Sequence, residues 1–176
     1  MKTLLRYLCL ITIVGAVLVV TAWLTFSEYN RLPSDASVVK RFAEKKPLLI
    51  ELKTKLSQEP ANVIGITQTN VMIDNTNNRV LPKEAQMTEE HFLQYQIVMR
   101  KASIKEVWRS DGAIHFYFAG AGFASFGWRL LFVYMQGTPS PITSSIDAPS
   151  EPDDSTTGRT IRYRPLGENW YIGLIN

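Results

Sequence analysis

The feature that most constrains this chain is a run without one charged side chain, from Tyr7 to Ser27. Twenty helical residues cover about 30 Å, the thickness of a bilayer's hydrocarbon core. Arg6 and Glu28 bracket the run. Tyr7 stands near one end, and Trp23 and Tyr29 near the other, where amphipathic rings favour the membrane–water interface. Lys2, Arg6 and the amino terminus put positive charge ahead of it, which leaves that side cytoplasmic and the remainder outside. The expected organisation is a transmembrane anchor (residues 1–27), a stalk (28–37) and one extracytoplasmic domain (38–176). A cleaved signal peptide is the rival, with small residues at Val20-Thr21-Ala22. Trp23, Leu24 and Phe26 carry the apolar run beyond an ordinary signal core. Cys9 begins the apolar region instead of ending it, which argues against a lipoprotein.

Of the 19 Lys and Arg, Lys2 and Arg6 precede the run, while all 16 Asp and Glu follow it. The domain is therefore close to neutral, too even for a dedicated nucleic-acid binder. Its sequence holds no cysteine, because the chain's only one is Cys9. Stability must come from the core, for which 8 Phe, 7 Tyr and 4 Trp provide material.

Two helices and a set of strands are legible. The first helix is clearest from Pro47 to Gln58, with Leu49, Leu52 and Leu56 on one face. Val63–Ile66 and Val71–Ile73 read as short strands, followed by an Asn-rich turn at residues 74–78. The second helix runs from Thr88 to Lys101, capped by Thr88, with Glu89 and Glu90 at its start and Arg100 and Lys101 at its end. Beyond Ile104 the period changes to two. Asp111-Gly112 signals a tight hairpin, Ile114, Phe116 and Phe118 alternate with His115 and Tyr117, and three further strands follow, Trp128 to Met135 and the pair Arg159 to Arg164 and Asn169 to Ile175. The fold class is α+β: an antiparallel meander of five or more strands, packed by two helices behind an N-terminal transmembrane helix.

Catalytic signals are thin. His91 and His115 are the only histidines, and neither has a recognisable orienting carboxylate and nucleophile. His91 with Glu89 or Glu90 lacks metal-ligand spacing, and Asp147, Glu151, Asp153 and Asp154 lack that of a calcium loop. No catalytic residue, metal or cofactor is expected. Gly120-Ala121-Gly122-Phe123-Ala124-Ser125-Phe126-Gly127 lies between strands, so it reads as a glycine-bearing hairpin or bulge and not a phosphate loop. Residues 136–158 form a long loop rich in Pro, Ser and Thr with four acids and no base, read as disordered or as an acidic arm for a basic partner. On the last strand pair Ile161 and Tyr163 point one way and Arg162 and Arg164 the other, while Lys105 and Arg109 share a parity earlier. If these faces coincide, the open face is basic and aromatic. The candidate binding residues are therefore Tyr117, Arg162, Arg164, Asp147, Glu151, Asp153 and Asp154.

From Phe42 onward the chain resembles small bacterial envelope proteins of unknown function. The likeness rests on the Phe42-to-Leu56 and Glu90-to-Tyr95 helices, the glycine-bearing strand pair ending at Phe132-Val133-Tyr134, and Tyr163-Arg164-Pro165-Leu166-Gly167-Glu168-Asn169-Trp170-Tyr171-Ile172. It implies an α+β fold in a protein of the bacterial inner membrane, with the domain in the periplasm. It also implies a binding or protective role, such as immunity against a secreted toxin. The expected function is a non-enzymatic, membrane-tethered binding protein with a protein partner. The alternatives are an envelope hydrolase built on His115 and a structural component of an envelope complex.

Overall fold

The computed structural model of the chain describes residues 14–15, 17–21, 31–60, 62–73, 78–123, 126–147 and 161–175. Helix α1 (Asp35–Gln58) buries Val38, Phe42, Leu49, Leu52 and Leu56 along one stripe. It starts at Asp35, before both Pro47, from which the periodic face is clearest, and Phe42, where the resembling helix begins, so the expected stalk already includes helix. An interior proline costs about 3 kcal/mol through its missing N–H and its ring. Burying a Val or Phe side chain is worth about 1.5–3 kcal/mol each, so Val38 and Phe42 together offset Pro47. The helix start is held from a distance. The Asp35 N–H donates to both carboxylate oxygens of Asp147 at 3.1 Å. Asp35 Oδ1 in turn accepts the Ile146 N–H at 3.2 Å and pairs with Arg164 Nε at 2.7 Å.

Helix α2 (Glu89–Ala102) has the expected cap: Thr88 Oγ1 accepts the His91 N–H at 3.2 Å. Ser103, in the left-handed region at φ 56°, ends it. Lys45 Nζ reaches the Lys101 carbonyl and Lys55 Nζ reaches Gln94 Oε1, so the helices lie antiparallel, side by side.

The sheet comprises β1 (Val63–Thr67), β2 (Val71–Ile73), β3 (Asn78–Val80), β4 (Glu106–Ser110), β5 (Ala113–Phe123), β6 (Phe126–Met135), β7 (Ile161–Gly167) and β8 (Trp170–Ile175). Their spatial order is β3-β2-β1-β4-β5-β6-β8-β7, with every neighbouring pair antiparallel. Both helices cover one face. Phe116, Phe118, Leu130, Phe132, Trp170 and Ile172 meet Phe42, Leu49, Tyr95 and Met99 there in the main core. The architecture is α+β, as expected. The glycine-bearing stretch is a β5–β6 hairpin with a bulge between Tyr117 and Ala119; residues 124–125 lie outside the described residues.

One connection departs from a simple meander. Because β8 lies between β6 and β7, those two strands run parallel, and a parallel link needs a crossover of a dozen or more residues. Residues 136–160 provide it. Residues 136–147 are packed, which corrects the disordered reading for that part of the loop. Ile146 is 1% exposed, the Thr143 N–H and the Pro141 carbonyl bond to the Tyr163 backbone, and the Tyr171 hydroxyl donates to the Gly137 carbonyl at 2.8 Å. Residues 148–160, with Glu151, Asp153 and Asp154, lie outside the described residues.

Val14, Gly15 and residues 17–21 are helical. Among the described residues no helix is long and apolar enough to cross a membrane; most of the apolar run from Tyr7 to Ser27 lies outside them.

Candidate binding face

The face of the sheet away from the helices is where the aromatic residues without a role in the main core gather. Strand register aligns them in rows. One row passes from Met72 through Gly65, Trp108, His115 and Val133 to Tyr171; the next runs Glu106, Tyr117, Leu131, Gly173, Tyr163. Ala113, Leu131, Val133, Tyr163 and Tyr171 form a second, smaller core here, with Trp108, Tyr117, Met135, Ile161 and Ile175 half-buried around it. A side chain at Gly65 would meet Met72, the Trp108 Cβ at 2.6 Å and the Val107 carbonyl at 2.7 Å, so glycine lets this row close up.

His115 sits in the first row, 7% exposed, its ring stacked on Trp108 at 5.1 Å and 11°. Burial pushes its pKa down to about 4, against smaller upward pulls from Asp111 and Ser110, so the ring is neutral near pH 7. Ser110 Oγ lies 3.3 Å from its Nε2. Its Nδ1 is buried and meets no partner among the described residues. A serine–histidine base pair works when a third group fixes the ring's tautomer through the other nitrogen. Among the described residues no such group bonds to Nδ1.

Tyr117, in the second row, carries two cations over its ring: Lys105 Nζ at 5.2 Å and the Arg129 guanidinium at 5.7 Å. Cations over an aromatic face are worth about 0.5–1 kcal/mol at exposed sites. A Cβ at Gly120 would stand 2.7 Å from the Tyr117 hydroxyl, so glycine leaves that oxygen its place. Tyr163 and Tyr171 meet edge to face at 6.4 Å. Burial, and then Asp111, raises the Tyr163 pKa, keeping the phenol neutral.

The structure divides the residues the sequence nominated. Tyr117 lies on this face. Arg162 and Arg164 alternate with Ile161 and Tyr163, so they point to the helix side, and Arg164 is engaged by Asp35. Asp147 shares that network by capping α1. Arg164 and Asp147 are thus brought together, but as part of the packing that holds the crossover. Lys105 joins Tyr117, whereas Arg109 crosses to the helix side and donates to the carbonyls of Leu56, Glu59 and Pro60 at the end of α1. Arg129 and Trp108 belong to the face but are not among the binding residues expected from the sequence. The register of a long hairpin would have placed Arg129 beside Tyr117.

A second polar cluster lies between the helices. Glu59 Oε1 accepts the Tyr95 hydroxyl at 2.9 Å and lies 3.0 Å from His91 Nε2, with the Glu59 side chain 8% exposed. Burial and the hydrogen bond to Glu59 push the Tyr95 pKa well up. With Arg109 this set ties the end of α1 to α2 and β4. Beside α2 a shallow apolar depression of about 590 Å³ is lined by Leu81, Met87, Phe92 and Leu93. Among the described residues no three His, Cys, Asp or Glu side chains converge as metal ligands.

Comparison with protein families, with curated proteins and with solved structures returned no match for this chain.

Proposed function

We propose that the chain is a non-enzymatic binding protein of the bacterial envelope, tethered to the inner membrane by residues 7–27 with its domain in the periplasm. The observation that carries the binding reading is the second sheet face, where Trp108 and Tyr117 stay half-buried in open rows and Lys105 and Arg129 flank the aromatic ring. Half-exposed aromatic and arginine side chains are the usual anchors of protein recognition. A protein partner is the reading that follows; a secreted toxin is the partner the resemblance implies. Nucleic acid is disfavoured by the near-balanced charge after residue 27.

The enzyme alternative has one point in its favour, the contact between Ser110 and His115. The unpartnered Nδ1 weighs against it. Site-specific photocrosslinking in cells, with the photoreactive residue at Tyr117, tests the binding reading. One discrete adduct, lost when Trp108→Ala or Arg129→Glu is added, is expected. Adduct formation that ignores both substitutions, or a folded His115→Gln protein that loses its cellular role, would overturn it. Reporter fusions after Leu56 and at the C-terminus test the topology, and a cytoplasmic signal from either would reverse the orientation.

A further inference from the structure

We propose that the end of the domain at which the chain joins α1 lies against an anionic lipid surface. Arg41, Lys45, Arg100, Lys101, Lys105 and Arg129 collect at that end. Arg41 donates to the Ser103 carbonyl at 3.0 Å and lies 4.7 Å over the Phe118 ring. Lys45 donates to the Lys101 carbonyl at 2.9 Å. Lys105 and Arg129 sit over Tyr117, the neighbour of Phe118 on the opposite face. Arg100 and Lys101 form the exposed last turn of α2.

None of the six forms an ion pair among the described residues. The carboxylates that do pair are those of Glu168, Glu106, Glu59 and Asp35, with Lys46, Arg79, His91 and Arg164. Asp147 is turned onto the Asp35 N–H, which leaves Glu44 as the unpaired acid of α1's first half. Among the described residues this leaves a local excess of positive charge at that end. The cations come from both helices on one side of the sheet and from Lys105 and Arg129 on the other. They cover an end of the molecule instead of lining a groove, and a plane of charge fits an end better than a peptide does.

The tether supplies the orientation, and here the inference rests on the membrane-anchored reading. Residues 28–34 reach at most about 25 Å, at about 3.5 Å per residue. The start of α1, with Arg41 and Lys45 in its first turns, is held within that distance of the bilayer. Each Lys or Arg close to an anionic surface favours contact about fivefold.

The test uses the full chain, with Cys9→Ser, in vesicles of phosphatidylcholine with and without phosphatidylglycerol. A fluorophore is placed at Ala36→Cys or at Ser57→Cys, about 30 Å apart along α1, and quenched by headgroup-labelled lipid. Stronger quenching at position 36 in the anionic vesicles is expected, reversed by high salt and by Lys101→Glu with Lys105→Glu. Quenching that is equal in both vesicles, or indifferent to salt in the unsubstituted chain, overturns the proposal. So does a charge-reversed chain that keeps its lipid response but loses a protein partner. Carbonate extraction separates the two readings: release of the chain sinks the anchor. Sedimentation of the released chain with the same vesicles then tests the basic end alone, and no preference for the anionic ones overturns it.

Discussion

Replacing His115 with Phe should remove a pH dependence from folding whose size follows from the structure. The imidazole is 7% exposed, between Trp108 and the second core, and titrates near 4 when folded against 6.5 in the unfolded chain. Desolvation is the main cause, and Asp111 and the Ser110 backbone oppose it. Above 6.5 both states hold the neutral ring, and stability is whole. As the pH falls from 6.5 towards 4, the unfolded chain takes up a proton that the folded protein refuses, so stability drops. At about 1.4 kcal/mol per pH unit, the loss approaches about 3 kcal/mol.

His115→Phe keeps a flat ring against Trp108 and abolishes the proton. Other groups titrate in both proteins, so the difference between their urea-unfolding free energies isolates this one. The unsubstituted protein should lose about 3 kcal/mol relative to the variant between neutral pH and pH 4. Parallel stability curves would refute the reasoning, as would a proton NMR titration of His115 with its midpoint near 6.5. A midpoint near neutrality would also revive the hydrolase reading, since a general base works best when its pKa lies near the working pH.

Gly65→Ala should cost about 1–3 kcal/mol, because the Val107 carbonyl 2.7 Å away belongs to backbone that cannot step aside; an unchanged Tm would contradict the close approach. Asp35→Ala strips the Ile146 N–H of its acceptor and Arg164 of its partner, so hydrogen exchange at Ile146 should accelerate with a stability loss of about 1–3 kcal/mol. Exchange as slow as before would mean that the crossover is held by other contacts. Tyr95→Phe removes one hydrogen bond from the buried Glu59 carboxylate, and a fall of about 1–2 kcal/mol in urea unfolding is expected; no loss would show that solvent already serves Glu59.

What the sequence revealed is local chemistry. Asp111 and Gly112 take φ of 51° and 75°, as a two-residue hairpin demands, and Thr88 caps α2 because its hydroxyl meets a free N–H. What it hid is set by distant partners. Nothing near Pro47 announces that Val38 and Phe42 will be buried and pull the helix through it. The three-residue β3 begins at Asn78, the last residue of the Asn-rich turn, and exists through its pairing with β2. The alternation of Arg162 and Arg164 with Ile161 and Tyr163 was legible, but the side to which each set faces was not. A period of two identifies the open face when that face is polar. Here β6 and β8 are apolar on both faces, with Phe132 and Ile172 in one core and Val133 and Tyr171 in the other, so parity alone cannot assign the arginines.

The same topology limits how a partner approaches. A sheet edge is the easiest surface for another chain to extend. The β7 edge is occupied, because the Tyr163 N–H and carbonyl already bond to Pro141 and Thr143 of the crossover. The opposite edge, β3, is three residues long. Strand addition at β7 would have to displace the segment that buries Ile146 and caps α1, giving up those contacts for the new ones. Side-chain recognition across the second face needs no such exchange, since Trp108, Tyr117, Lys105 and Arg129 are partly or fully exposed as they stand. A partner that binds this domain without loosening the Ile146 amide is therefore using the face, whereas one that binds and raises hydrogen exchange there has taken the β7 edge.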